Sequence, residues 1–374
     1  MQQQARRLWL KQSLLAAAGI SMGSQLFGRN YQCDEPLIYT GPADHLIKIG
    51  SNENPYGPSP LAVAAMQKAV ASSNRYPWEI TTQLRKKIGS QYGLTEAHVL
   101  MGAGSSELLG LVSAYAGRNK GNVVTGYPTF KLWFTAAENF GLQIKKVPLT
   151  NDKVHNLPAM LQAMDANTQM MYIVNPHNPT GTIVAKEALQ NFIEEASKKT
   201  LVLLDEAYTE YSDEPSLGHL VANNKNLVVA KTFSKIHGMA GARIGYILAH
   251  PDTIKALSAW QPWSNAGAGT AALAGALASI DDLDFQKSCR QKNDAVKALV
   301  LPAMQQLGIQ VIPSYTNFIY YNTSNYPADV AAITQAAGIS GVRIFEEGTN
   351  WRRTSIGTMD EMKKFIEVLN KAAK

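Results

Sequence analysis

Leu201-Val202-Leu203-Leu204-Asp205-Glu206-Ala207-Tyr208 and, further on, Leu227-Val228-Val229-Ala230-Lys231-Thr232-Phe233-Ser234-Lys235 decide the fold. In each, a short apolar run ends on groups able to do chemistry. Runs of this length without polar alternation read as buried strands. A lysine at a strand exit, flanked by hydroxyls, is placed to be a desolvated nucleophile, and lysine amines form Schiff bases once their pKa is lowered. An acid at the end of an apolar strand faces a crevice and can pair with a protonated ring nitrogen. A phenol three residues later can hydrogen-bond a phenolate oxygen on the same ring.

Two similar strand exits lie upstream. Asn175-Pro176-His177-Asn178-Pro179-Thr180-Gly181 follows the apolar run Met170–Val174, and Asn178 before a proline presents its amide at a fixed angle. His177 reads as a solvated loop residue. Gly102-Ala103-Gly104-Ser105-Ser106-Glu107 follows Val99–Met101, and small residues opening a helix expose backbone N–H groups to a phosphate. Further strands are expected at Val123–Thr125 and Gly245–Ala249, and helices at Glu107–Ala116, Lys131–Phe140 and Lys186–Lys198. The alternation predicts an α/β layer architecture with a mostly parallel sheet, its catalytic loops at the carboxyl ends of the strands.

From about Ala271 the texture changes. A long helix over Asp284–Leu307 is followed by strands at Ile309–Ile312, Asn317–Tyr321 and Gly341–Phe345, with helices near Ala328–Ala337 and at Met359–Ala373. This predicts a smaller α+β domain. The expected organisation is a leader over 1–33, a segment over 34–60 joining the small domain, a large domain over 61–270 and the small domain over 271–374.

The chain has 374 residues, 45% of them hydrophobic and 17% charged. That excludes a disordered tail, a collagen-like repeat and a disulfide-stapled miniprotein. No run of 18 apolar residues lies beyond the first 30 positions, which excludes a polytopic membrane protein. The net charge is +6, and four cations (Arg6, Arg7, Lys11, Arg29) fall in residues 1–30, which hold no acid. The rest is nearly neutral, so no nucleic-acid partner is expected. Adjacent arginines, a lysine four residues after Arg7 and a short apolar stretch over Ser13–Phe27 predict a signal of the twin-arginine type. Export through that machinery to the periplasm or beyond is the expectation, with a mature start near residues 28–34. Cys33 and Cys289 form no metal-spacing pattern, and no metal site is expected.

Taken together, the blocks Gly-x-Gly-Ser-x-Glu, Asn-Pro-x-Asn-Pro-Thr-Gly, Asp-Glu-Ala-Tyr and Ser-Lys with Arg243 following resemble the fold-type I, pyridoxal 5'-phosphate-dependent aminotransferases of class I/II, over roughly residues 45–370. Ser51-Asn52-Glu53-Asn54-Pro55-Tyr56-Gly57-Pro58 and Arg75-Tyr76-Pro77 are similar to the histidinol-phosphate aminotransferase subgroup.

The resemblance implies a role for each block. Lys235 holds the cofactor as a Schiff base and later moves the substrate proton. Asp205 keeps the pyridine nitrogen protonated, Asn178 and Tyr208 bond the ring oxygen, and Phe130 stacks on the ring. Ser105, Ser106, Thr232, Ser234 and Arg243 hold the phosphate. Tyr76 reaches the cofactor phosphate of a partner subunit, which implies a homodimer. Arg353 matches the arginine that takes a substrate carboxylate, with Arg343 and Tyr56 as second contacts. The implied reaction moves an amino group from an amine or amino acid to a 2-oxo acid such as 2-oxoglutarate. Decarboxylation of a phosphorylated amino acid on the same scaffold, and a non-catalytic exported cofactor-binding protein, are the alternatives. An exported enzyme would not meet histidinol phosphate, so the leader sets the substrate apart from the subgroup's name.

Overall fold

The computed structural model describes residues 46–374. The leader and its expected cleavage region lie outside the described residues. Among the described residues thirteen strands follow in chain order: β1 (Ile47–Lys48), β2 (Val99–Gly102), β3 (Gly121–Tyr127), β4 (Leu142–Pro148), β5 (Thr168–Val174), β6 (Leu201–Asp205), β7 (Leu227–Thr232), β8 (Gly245–Ala249), β9 (Gln310–Ile312), β10 (Phe318–Asn322), β11 (Ile339–Ser340), β12 (Arg343–Ile344) and β13 (Trp351–Ser355).

Seven strands form one sheet in the order β2-β8-β7-β6-β5-β3-β4. β8 runs antiparallel to both its neighbours, and the other pairs are parallel. β5 to β8 are buried almost throughout, as strands covered on both faces must be. Successive residues of β6 and β7 enter opposite cores. Val202, Leu204 and Val229 point into one, and Leu203, Val228 and Ala230 into the other. β4 closes one edge with Lys145 and Lys146, charges that discourage further pairing.

The covering helices show the expected spacing. Lys186–Ser197 buries Leu189, Phe192, Ile193 and Ala196, a single stripe at helical period. The helix Thr270–Ser279 lays Ala272, Leu273 and Ala276 into the core of the seven-stranded sheet. The change of texture at Ala271 is therefore not where that core's packing ends.

A four-stranded antiparallel sheet, β12-β13-β10-β9, has its own core of Val296, Val300, Ile319, Tyr321, Phe365 and Leu369. β1 and β11 pair in parallel as a separate two-stranded sheet, and Ile49 just after β1 is buried in the same core. The last helix, Met359–Ala372, starts with a reciprocal cap between Thr358 and Glu361 and buries Met362, Phe365, Ile366 and Leu369. Among the described residues no helix is long and apolar enough to cross a membrane.

Candidate active site

The carboxyl ends of β2, β5, β6 and β7 point the same way, because these strands are parallel in one sheet. A cavity of about 200 Å³ lies over them. Lys235, Asp205, Tyr208 and Asn178 line it from the ends of β5 to β7, and Phe130 lines it from the turn after β3. Ser105, Ser106, Thr232, Ser234 and Arg243 line it as well, so ten of the expected site residues meet at one cavity.

Asp205 is 4% exposed. Its Oδ2 accepts from Tyr172 Oη at 3.2 Å and its Oδ1 from the Ala207 N–H at 3.1 Å. Burial pushes the carboxyl up to about 6, against the pull of those donors and of Lys235. Lys235 Nζ donates to the carbonyls of Ser51 and Asn52 at 3.2 and 3.1 Å. Burial, aided by the nearby Arg353 charge, brings this amine down to about 8. Both shifts follow from the removal of water around a charged group.

The Tyr208 hydroxyl accepts from Asn52 Nδ2 at 2.9 Å and from Asn178 Nδ2 at 3.3 Å. Burial raises the phenol to about 12. Asn178 Oδ1 accepts from Arg353 Nη1 at 2.7 Å, and Arg353 Nη2 donates to the Gly50 carbonyl at 2.8 Å. The guanidinium lies 4.5 Å from the Phe345 ring and 5.3 Å from the Phe318 ring. It is 4% exposed, and its Nε has no protein partner. Burial brings it down to about 10.

At the other end of the cavity, Gly104 (φ +87) leads into the helix Ser105–Gly117. A Cβ on Gly104 would stand 2.3 Å from Arg243 Nη2, and one on Gly245 would stand 2.6 Å from the Ser105 nitrogen. Two glycines thus let the helix start and the arginine come together. Arg243 is itself left-handed (φ +52), and its Nη2 and Nη1 donate to the carbonyls of Ala103 at 3.3 Å and Ala240 at 3.0 Å. Thr232 Oγ1 donates to Ser234 Oγ at 3.0 Å beside them.

This donor set suits pyridoxal 5'-phosphate. A helix N-terminus, an arginine and hydroxyls suit a phosphate. A buried carboxyl suits a cationic ring nitrogen, and an amine lowered to about 8 suits an aldehyde.

Of the other expected residues, Arg353 stands behind Asn178, and the remaining three do not line the cavity. Tyr76 is 69% exposed, packed with Trp78 and Trp263 at centroid distances of 5.6 and 4.9 Å. Tyr56 packs beside Tyr211, Ile236 and Cys289, with Lys292 Nζ 4.6 Å from its ring. Arg343 is exposed, and its Nη2 donates to Ser51 Oγ at 3.3 Å. The expectation of a solvated His177 is corrected. Its ring is 1% exposed, hydrogen-bonded through Nδ1 to Thr180 Oγ1 at 2.7 Å and packed edge-on to His155 at 4.4 Å. The turn folds inward because the His177 N–H bonds the Thr182 carbonyl and the Gly181 N–H bonds the His177 carbonyl. Ser51, Glu53 and Ala207 also line the cavity, and Tyr172 supports Asp205. Tyr172 is interior to a strand and reads in sequence as core.

A cavity with a lysine amine, a buried acid and a phosphate cradle on a mostly parallel sheet is that of a pyridoxal 5'-phosphate-dependent enzyme of fold type I. The profile of the family described as aminotransferase class I and II matches residues 44–369, and the chain belongs to that family. It is a pyridoxal 5'-phosphate-dependent aminotransferase. It is 34% identical to histidinol-phosphate aminotransferase of Symbiobacterium thermophilum over 330 residues, covering 87% of this chain and 90% of the other. It is 36% identical to histidinol-phosphate aminotransferase 2 of Pseudomonas fluorescens, covering 87% and 88%. The crystal structure of histidinol-phosphate aminotransferase from Sinorhizobium meliloti in complex with pyridoxal-5'-phosphate matches with a TM-score of 0.80 and 25% identity, covering 87% of this chain and 90% of that one.

Proposed function

We propose that the enzyme moves the amino group of an amine or amino acid, akin to histidinol phosphate but not restricted to that compound, to a 2-oxo acid with a second carboxylate, such as 2-oxoglutarate. The observation that carries the reading is Arg353. It is buried, bonded to Asn178 at the cavity wall, and its Nε has no partner. A planar guanidinium held this way can grip a carboxylate or a phosphate. The names of the relatives that are 34–36% identical support the amine class.

The bound cofactor supplies an electron sink that stabilises negative charge on the substrate carbon. The rest falls to side chains of this chain. Asp205 holds a cation at the base of the slot. Lys235, neutral in a useful fraction near pH 8, takes the proton from the substrate carbon and returns it at the neighbouring position. Asn178 and Tyr208 fix the ring oxygen edge, and Arg353 turns the substrate so that the bond to be broken faces Lys235.

The same reading includes a homodimer, formed over the exposed face of Tyr76, Trp78 and Trp263, which are 69%, 43% and 52% exposed. Three aromatics packed against one another on one surface are an energetically poor solvent face and a good interface core. It also includes export through the twin-arginine machinery, on the pattern around Arg6 and Arg7, which lies outside the described residues.

The test is a single-turnover absorbance scan of cofactor-loaded protein with histidinol phosphate, glutamate and a panel of other amines. Loss of the lysine-bound band with one of these amines, restored by 2-oxoglutarate, supports the reading and names the donor. Release of carbon dioxide without that loss points to a decarboxylase. No change with any amine points to a cofactor-binding protein without turnover.

A further inference from the structure

β2 is an edge strand of the seven-stranded sheet, paired on one side with β8. On its open side the backbone of Met101 has no strand to bond. Two side chains take that place. Asn265 Oδ1 accepts from the Met101 N–H at 2.9 Å, and Gln261 Nε2 donates to the Met101 carbonyl at 2.9 Å. Gln261 also donates to Glu107 Oε1 at 3.1 Å and accepts from the Asn265 N–H at 2.9 Å through its own oxygen. It is 7% exposed. Glu107 in turn accepts from the Ala103 N–H through Oε2 at 2.5 Å. The Ala103 carbonyl is the group that receives Arg243 Nη2.

A continuous chain of bonds therefore runs from Gln261 through Glu107 and Ala103 to Arg243. The contact is tight. A Cβ on Gly267 would stand 2.8 Å from Glu107 Oε2 and 2.9 Å from the Ala103 nitrogen. Asn265 holds a left-handed backbone (φ +61) in the same turn. None of these side chains except Arg243 lines the cavity.

We propose that Gln261 is a positioning residue for the cofactor phosphate. Seated with Asn265 against the open edge of β2, it fixes the turn Met101–Gly104 so that the Ser105 N–H and Arg243 converge. The proposal rests on the reading that Ser105, Ser106 and Arg243 hold the phosphate. It assigns a role to the segment after Trp260, which contains no residue expected at the site.

The test compares pyridoxal 5'-phosphate with pyridoxal, the same ring without its phosphate. Full-length wild type and Gln261→Met are stripped of cofactor and titrated with each, following the lysine-bound absorbance. Wild type is expected to prefer the phosphorylated ring strongly. Gln261→Met is expected to lose about tenfold or more of its affinity for pyridoxal 5'-phosphate, the scale of losing two hydrogen bonds to the turn, with pyridoxal binding unchanged. Equal losses for both rings, or no loss, overturn the proposal. Gln261→Glu keeps the bond from Asn265 but cannot donate to Met101 or Glu107. It is expected to lose the same preference, and its retention there would sink the idea even if Gln261→Met did not fold. Arg243→Ala in the same titration separates the two claims. If it keeps the full preference for the phosphorylated ring, the phosphate reading itself fails, whatever Gln261 does.

Discussion

Arg353 Nη1 donates to Asn178 Oδ1 at 2.7 Å, joining β13 of the four-stranded sheet to the turn after β5 of the seven-stranded one. The bond also decides what Asn178 can do. With its oxygen engaged, its nitrogen is left for the Tyr208 hydroxyl at 3.3 Å. One guanidinium thus sets the hydrogen-bond direction of the cavity wall.

Replacing Arg353 by Lys should therefore do more than remove a fork of donors. The ammonium lacks the planar fork that reaches Asn178 while still presenting a bidentate face to a carboxylate. The expected result is a fall in kcat/KM on the order of a hundredfold for a dicarboxylic 2-oxo acid, with most of it in KM. Steady-state kinetics with 2-oxoglutarate and with a monocarboxylic 2-oxo acid checks this. An unchanged KM for both would remove Arg353 from the substrate site.

The Lys235 amine, brought down to about 8 mainly by burial and next by Arg353, should make capture of the aldehyde depend on pH. At pH 7 about one amine in ten is neutral, against roughly one in three thousand for an ordinary lysine. The rate at which cofactor-free protein rebinds pyridoxal 5'-phosphate is expected to rise with pH and level off above about 8. Arg353→Met should shift that midpoint upward, because it removes a neighbouring positive charge. Lys235→Ala should show no lysine-bound absorbance at any pH.

The parts of this site that were readable in sequence are those that one strand end carries in a few consecutive residues. Asp205 and Tyr208 leave β6 together, and Thr232, Ser234 and Lys235 leave β7 together, so strand and chemistry are read at once. The parts that escaped depend on contacts across the chain. Ser51 and Asn52 meet Lys235 only because the loop after β1 folds over β7's end. Tyr172 has the pattern of a core aromatic, and only the parallel register of β5 with β6 puts its hydroxyl on Asp205. His177 went the other way. A polar turn suggests solvent, but this turn satisfies its own backbone and buries the ring. β4 does not read as a buried strand in sequence, because its exposed Lys146 interrupts the apolar run that marks the others.

Asp205 predicts a trade between stability and activity. Its folded-state pKa, about 6, lies above the ordinary carboxylate value, so between about pH 4 and 6 the cofactor-free native state binds more protons than the unfolded chain. Stability then falls as pH rises through that window, and above it the ionised carboxylate costs about 3 kcal/mol. Asp205→Asn should raise the melting temperature of cofactor-free protein by a few degrees at pH 8 and leave it nearly unchanged at pH 4. The same variant should lose at least about a hundredfold in kcat, since no anion remains to hold a ring cation. Calorimetry at the two pH values and single-turnover rates provide the check, and an equal shift at both pH values would contradict the assignment.

A second buried charge group lies on the opposite side of the same strands. Lys231 precedes Thr232 and Glu206 follows Asp205, so alternation turns both away from the cavity. Lys231 Nζ meets Glu210 Oε1 at 2.7 Å and Glu206 Oε2 at 3.6 Å, and both Lys231 and Glu206 are 3% exposed. Glu206 also accepts from the Ser216 hydroxyl and from the Leu217 N–H at 2.9 Å. The two acids hold the lysine above its ordinary pKa despite its burial, whereas burial raises Glu206. Removing only the cation strands two carboxylates in a poorly hydrated place, and Lys231→Met should cost about 3–5 kcal/mol in denaturant unfolding. Adding Glu206→Gln and Glu210→Gln to that variant should recover most of the loss, because the uncompensated charges are gone. Full recovery of the denaturation midpoint would mean the trio contributes little net stability. No loss in Lys231→Met alone would mean the carboxylates take up protons at negligible cost, and that the ion pair does not hold the ends of β6 and β7 together.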